Sequence, residues 1–574
     1  MDPRLRRFTG ALPPLALGVS LLLAWSYLSS TLGLACPTLD RTLVTKTVLT
    51  PLGLAGALFW SLLLLISSAG VKARGAPSAL LMLSAPLALL ASLLANTSLP
   101  LAAATLFVSL FWLRGGIGRL LLAFSAGVCA IEALVIAYLL SWAAGAPLLL
   151  SAAWPLHFSL YCFLTPVMPP IVALSLLSPL LHPLVKGDVR FPSLRFLGSK
   201  SVLAAAIGAC LMLWLVLYAS SLNPGAKLVG VDSKIRYYPH ALVLLREGAP
   251  AVLRVGYDRP LSYLILLWLA ARLGPFEAVK ALPLISLALY VVACHTAARE
   301  LWGKRVAGLA ALLAPLSYTT TAGLFGGLFN NWFSLSLALL AAAALARWQR
   351  TGRVFWTPIF LLLLALAAAA HVYMGAVAFA VFTLLLFVQI VVGPRRRGAA
   401  ALVIAQLLLL TVGLNAADTL IGGSGGQSPT RALRTLIDHW LRTMARRPLF
   451  STAWWDDYSF AVFNYAATAA LDPTVWLLTA IAAAIAGSRW LGGPLMTCWL
   501  AVIAALSFLS PRGYIFRALF DFPYPLAEAV ATAHIMGLIE RKWGARTATL
   551  WLAALLLFKL AYTVTFACGL AVGS

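Results

Sequence analysis

The chain has 574 residues, 62% of them hydrophobic and only 10% charged, and carries a formal net charge of +25; its mean hydropathy is +0.94. Ordinary soluble proteins are about 45–50% apolar and about 25% charged, so this composition excludes a soluble enzyme, and the same apolar content excludes a disordered chain. At roughly 20 apolar residues per crossing, the length has room for ~17 transmembrane helices, and the expected class is an all-α polytopic membrane protein.

The excess of 42 Lys and Arg over 17 Asp and Glu fits the ends of membrane helices. Basic residues there fix orientation and touch anionic lipid headgroups, so membrane lipids rather than nucleic acid are the expected partners. The seven cysteines have no metal-ligand or Cys-x-x-Cys spacing, and most lie in apolar runs as small packing residues. No phosphate-binding glycine loop or dinucleotide fingerprint is present, which leaves ATP and NAD chemistry without support.

In chain order, Arg4, Arg6 and Arg7 precede an apolar stretch from Leu12 to Ala35. The stretch is long for a cleaved signal and reads as a signal-anchor helix. Further apolar runs lie near 48–70, 79–95, 99–113, 119–143 and 158–182, which makes residues 1–200 a six-helix N-terminal membrane module. Glu132 is the acid inside it; an intramembrane acid is either functional or a satisfied packing residue. A seventh span at 201–220 leads into a polar segment, 221–278, with an amphipathic stretch near 235–246 and "RPLSYLILLWLAARLG" after it. The latter has about 15 apolar residues between Pro and Gly, too few to span, and reads as a helix lying at the membrane surface.

Spans then follow near 279–298, 305–320, 324–346, 355–370, 372–392 and 398–417. A second long segment, 418–473, separates them from a C-terminal four-helix module, 474–574, with spans near 474–488, 492–510, 523–539 and 548–570. Basic clusters decide the orientation. With the N-terminus cytoplasmic, the inside loops hold 24 basic and 4 acidic residues and the outside loops 17 and 11, while Lys559, Glu132 and Glu528 fall within spans. The difference, +20 against +6, follows the positive-inside bias. Segments 221–278 and 418–473 are then on the non-cytoplasmic face of a multi-pass cell-membrane protein, and long outside loops are where function concentrates.

Several elements occur in a telling order. One span leads into an outside loop with an early acid, Asp232 in "VDSKIRYYPHAL"; an amphipathic helix ends in Gly, "LVLLREG"; a basic-Pro element follows, Arg259-Pro260 in "YDRPLSY". Next come a helix ending in an aromatic-Gly-basic turn, "ARELWGKRVAG", and an outside turn, "GGLFNNWFSL". Residues 201–417 thereby resemble the seven-helix catalytic core of the GT-C membrane glycosyltransferases, in the branch of the aminoarabinose transferases and protein O-mannosyltransferases. The resemblance implies transfer of a sugar from a polyprenyl-phosphate donor, with inversion, to an acceptor on the non-cytoplasmic face.

It also implies roles. Asp232 would be catalytic, as general base or as ligand of a divalent cation such as magnesium or manganese. Many relatives have Asp-Glu here where this chain has Asp232-Ser233, which weakens the case for a metal. Without the resemblance, Asp232 reads equally well as a helix N-cap. Arg259 would meet the donor phosphate, where a guanidinium binds two oxygens at once; the plain alternative is a snorkelling headgroup contact. Arg236 and His240, about one and two turns beyond Asp232, share its helical face if the helix starts early; Arg236 would serve the phosphate and His240 the sugar or acceptor. His371 in "AAAAHVYMG" stands at an outer helix end, to bind phosphate or to cap the turn. Asn330 and Asn331 would bond a sugar or end a helix.

In the second segment, Trp454, Trp455 and Asp456 of "WWDDY" resemble the "WWDYG" signature of the oligosaccharyltransferase catalytic subunit. That signature belongs to a soluble domain after the last span, whereas this segment lies between spans. These three residues form either a sugar or acceptor platform or an interfacial aromatic belt. Two other readings of the chain remain. A transporter or lipid flippase would carry internal repeats and mid-membrane polar groups, which are sparse here. A non-catalytic scaffold on the same fold would differ only in activity.

Overall fold

The computed structural model describes residues 18, 84, 87–94, 117–146, 157, 168–180, 192, 195–256, 258–392, 395–423, 438, 441–442, 451–465, 472–485, 491–510 and 512–573. Among them, the regular structure is all helical, with no strand. In chain order the α-helices are α1 Ile117–Ala143, α2 Met168–Leu177, α3 Lys200–Tyr218, α4 Tyr238–Glu247, α5 Pro250–Val255, α6 Pro260–Leu273, α7 Pro275–Trp302, α8 Lys304–Leu313, α9 Tyr318–Gly326 and α10 Phe329–Thr351. They continue as α11 Trp356–Ala370, α12 Val372–Val392, α13 Arg396–Gly423, α14 Thr452–Tyr465, α15 Pro473–Ile485, α16 Gly492–Leu509, α17 Arg512–Phe520, α18 Tyr524–Trp543 and α19 Ala545–Val572.

Nine crossings among the described residues are long and apolar enough to span a membrane, and four further apolar helices are shorter. The protein is therefore an all-α, multi-pass membrane protein. The expected spans near 12–35, 48–70 and 99–113 lie outside the described residues. The stretch read as a surface helix forms α6, 14 residues long, or about 21 Å at 1.5 Å per residue, short of the roughly 30 Å apolar layer.

One crossing departs from the expected run at 305–320. It continues from Lys304 to Gly326 but is broken in the middle: α8 passes into a 3-10 turn, Ala314–Leu316, before α9 begins. Pro315 has no N–H to give and its ring opposes a continuous helix. The Ala314 carbonyl, at the point where the helix breaks, accepts the Thr320 hydroxyl at 2.6 Å and the Ser317 hydroxyl at 3.1 Å. A break inside an apolar layer requires such local replacement of backbone bonds.

The chain divides into two compact units, residues 1–166 with 535–565, and residues 167–534 with 566–574. In the first, the expected intramembrane acid is matched: Glu132 Oε2 lies 2.6 Å from His157 Nδ1, with both side chains buried. In the second, α7, α10 and α11 pack side by side as the centre. Helix α10 is buried on nearly all faces, and its run of Ala338, Ala341, Ala342, Ala343 and Ala344 lets neighbouring backbones come close. Its first turn carries Asn330 and Asn331, so the axis of this unit ends directly beneath the polar loops.

Candidate active site

After α3 the chain turns through a loop held by Asn223. Its amide donates to the carbonyls of Leu217 and Lys227, each at 2.9 Å, and its Oδ1 accepts the Lys227 N–H, also at 2.9 Å. The loop then meets the end of α9 backbone to backbone. Gly230 has φ +91°, and a Cβ there would stand 2.8 Å from the Leu324 carbonyl and 2.9 Å from the Gly327 Cα. Gly327, at φ +69°, would bring a Cβ to 3.0 Å from the Ser233 N and 3.1 Å from the Asp232 N. Only glycine combines this left-handed backbone with so close an approach. The two glycines clasp the loop and fix where Asp232 stands.

From Asp232 the chain enters a π turn, Ser233–Tyr237, and continues as α4. Single π turns recur at functional sites. Asp232 occupies the N-cap position and makes no side-chain capping bond, so its carboxylate is not spent on the helix. Arg236 Nε is 3.6 Å from its Oδ1. Arg236 and Asp232 both act on His240, whose Nδ1 sits 2.7 Å from the Tyr263 hydroxyl. Tyr237 is fully buried and stacks on Phe329 of α10, centroids 5.7 Å apart.

Arg259 caps α6, with Pro260 as the first helical residue, where its missing N–H costs nothing. Arg259 is buried, which removes the snorkelling alternative. Its Nε donates to Asp258 Oδ1 at 2.9 Å and its Nη2 to Asp258 Oδ2. The Asp258 carbonyl accepts the Val372 N–H at 2.9 Å, and the Ser262 hydroxyl donates to the Ala370 carbonyl at 2.8 Å. These bonds tie the start of α6 to the turn between α11 and α12, where His371 is buried. His371 Nδ1 accepts the Met374 N–H at 3.3 Å, so the side chain caps α12 as well as facing the cluster.

Asn330 and Asn331 are both buried. The Asn331 amide donates to Asp521 Oδ1 at 3.3 Å. Asp521 and Arg517, from α17 and the turn after it, are the residues that sequence reasoning missed. Arg517 acts electrostatically on Asp232, His371 and Asp521. The only sequence signal for them was a short loop between two spans, on the face expected for Asp232.

The electrostatics follow from burial and from the guanidiniums. Burial pushes the Asp232 pKa up, against the opposing charges of Arg236, Arg259 and Arg517. Burial alone would also raise Asp258, but the hydrogen bonds and charge of Arg259 bring it below the ordinary carboxylate range. Burial, with Arg259 beside it, lowers His240 and lowers His371 to about 3, so both imidazoles are neutral near pH 7. Among the described residues, no three His, Cys, Asp or Glu side chains converge. Asp232 faces guanidiniums rather than further carboxylates, and Asp258 is engaged by Arg259. This donor set does not fit a divalent cation.

Trp454, Trp455 and Asp456 lie on α14. The Trp454 indole donates to the Phe508 carbonyl at 2.9 Å and stacks on Tyr458 with centroids 5.4 Å apart, while Trp455 and Asp456 are exposed. Helix α14 packs against α17, the helix that carries Arg517, while Asp232, Arg236, Arg259, His371, Arg517 and Asp521 share one polar cluster.

Fold and cluster together define a polytopic helical membrane protein with a buried carboxylate among arginines at the ends of its helices. No protein-family model matches the chain, and no curated protein matches it. Among solved structures it is similar to ArnT from Cupriavidus metallidurans bound to undecaprenyl phosphate, at 16% sequence identity and a TM-score of 0.40, over 65% of this chain and 78% of that one.

Proposed function

We propose that the protein is an inverting membrane glycosyltransferase that takes its sugar from a polyprenyl-phosphate-linked donor and passes it to an acceptor hydroxyl on the non-cytoplasmic face. The observation that carries this reading is the cluster itself: the buried Asp232 carboxylate, not used for capping, under the charges of Arg236, Arg259 and Arg517. The resemblance of residues 201–417 to the GT-C core supports it from the sequence.

In this mechanism Asp232 accepts the proton of the acceptor hydroxyl as its oxygen attacks the anomeric carbon, opposite the leaving phosphate. The carbon–oxygen bond to the phosphate breaks, and its electron pair goes to the phosphate oxygen. Negative charge grows on the phosphate, where guanidiniums stabilise it in a water-poor site. A raised Asp232 pKa makes the carboxylate a stronger base than an exposed one. His371, neutral, offers a hydrogen bond rather than a charge, and Arg259, anchored by Asp258, is a fixed rather than a searching cation.

The test is transfer of radiolabelled sugar from a polyprenyl-phosphate donor by Asp232→Asn. Loss of a positioned base is expected to cost about 10²–10⁴-fold in rate. Wild-type transfer by a variant present at normal level would remove the mechanism.

A further inference from the structure

The cluster's charges do not balance, and the residue left over is one that the sequence did not single out. Three guanidiniums, Arg236, Arg259 and Arg517, face it. Two are engaged: Arg259 gives two of its nitrogens to Asp258, and Arg236 lies 3.6 Å from Asp232. Arg517 is half-buried with its guanidinium over the Phe516 ring, 5.9 Å from the centroid, and among the described residues no carboxylate comes within ion-pairing distance of it. Its field nonetheless reaches Asp232, His371 and Asp521.

Asp521, four residues on, would be its natural partner but is fully buried. Its Oδ1 receives only the Asn331 amide at 3.3 Å, and its Oδ2 has no partner. The Trp499 indole takes its main-chain carbonyl at 2.9 Å and leaves the carboxyl alone.

We propose that Arg517 is the guanidinium that takes the phosphate of the donor, and that Asp521, buried beside Asn331 and making no ion pair, is a positioning residue that leaves Arg517 available for it. This deepens the glycosyltransferase reading and rests on it. Burial pushes the Asp521 pKa up to about 8, against the Asn331 hydrogen bond and the Arg517 charge. Near pH 7 the three guanidiniums then face two carboxylates, Asp232 and Asp258, with His240 and His371 neutral. The surplus is one positive charge, the complement of the single negative charge on a sugar–phosphate–polyprenol diester. Ionising Asp521 cancels that surplus and gives Arg517 a competing partner. The groups around Asp521 through that titration are Arg517, Asn331, Trp499 and the Tyr524 phenol.

The experiment compares binding of the methyl phosphodiester of undecaprenol, which like the donor carries one negative charge, and of undecaprenol, the same tail without phosphate, to the purified full-length protein in detergent. The wild type is expected to prefer the phosphodiester at least tenfold, and Arg517→Gln to reduce that preference to threefold or less. A wild type with no preference overturns the glycosyltransferase reading and this proposal together. A wild type that prefers the phosphodiester, with Arg517→Gln keeping the full preference, overturns this proposal alone. A pH series on the wild type and on Asp521→Asn gives a second readout, independent of whether Arg517→Gln folds. The wild-type preference should fall as pH rises from 7 to 9, and Asp521→Asn should hold it flat. Constant wild-type preference over that range, or an equal fall in both proteins, overturns the role of Asp521.

Discussion

Asp232 and Asp258 are two aspartates in one cluster with opposite fates. Burial dominates at Asp232 and raises its pKa, whereas Asp258 is held below the ordinary range by Arg259. The consequence for activity is an acid limb in kcat/KM that sits above the value of about 3.9 for a free Asp side chain. Arg236 lowers the Asp232 pKa, so Arg236→Gln should move that limb further toward neutral pH; a pH–rate profile of the two proteins checks the sign. For Asp258 the sign is the reverse. Its folded pKa is depressed, so its contribution to stability is present above the unfolded value and is lost as pH falls through the folded one. Asp258→Ala leaves the buried Arg259 without its partner and should lower stability by about 1–3 kcal/mol, read as a lower melting temperature in detergent near pH 7. The chemistry of Asp232 as a base or a cap was undecidable from its sequence neighbours. The choice depends on whether an N–H of the first turn reaches its oxygen, which is a matter of backbone path.

Among the elements, the contact that matters most for the site is the clasp between the loop after α3 and the end of α9. Gly327→Ala would force a side chain into left-handed backbone, at about 1–2 kcal/mol, and press against the Asp232 and Ser233 amides. The variant should keep its helical circular dichroism and lose about a hundredfold in transfer rate, since displacement of a reacting group by about 1 Å has that effect. Retained wild-type kcat in a folded Gly327→Ala protein would show that the clasp does not set the position of Asp232. The helices themselves were largely legible: α3, α6, α7, α10, α12 and α16 fall where apolar runs and their Pro and Gly boundaries put them. The break at Pro315 and the π turn after Asp232 were not, because apolar spacing does not say where a helix gives up its own bonds: at the break nearby Ser317 and Thr320 hydroxyls take the Ala314 carbonyl, and at the turn the approach of Gly327 fixes the backbone path.

For the whole molecule, orientation is an electrostatic matter. With the N-terminus placed in the cytoplasm, the inside loops would carry +20 and the outside loops +6, and the proposed site needs the loop around Asp232 to face away from the cytoplasm. A cysteine placed at the exposed position of Lys234 should react with a membrane-impermeant thiol reagent in intact cells. One placed at Arg353, also exposed, should react only after permeabilisation. The opposite pattern would put the carboxylate in the cytosol and end the reading of an outward-facing transferase.

Composition, the spacing of apolar runs and the placement of basic clusters determined by themselves that this is an all-helical, multi-pass membrane protein, and the order of its short motifs singled out Asp232, Arg259 and His371. Those features are local, or sums over the chain, and a single sequence carries them in full. The tertiary structure alone decided that Asn331, Arg517 and Asp521 join the same cluster, that Arg259 is already partnered, and that Trp454 is occupied by Phe508. Each of these is set by which helix ends meet and how the side chains there pair. Helical periodicity says which face is apolar without saying which helix will cover it.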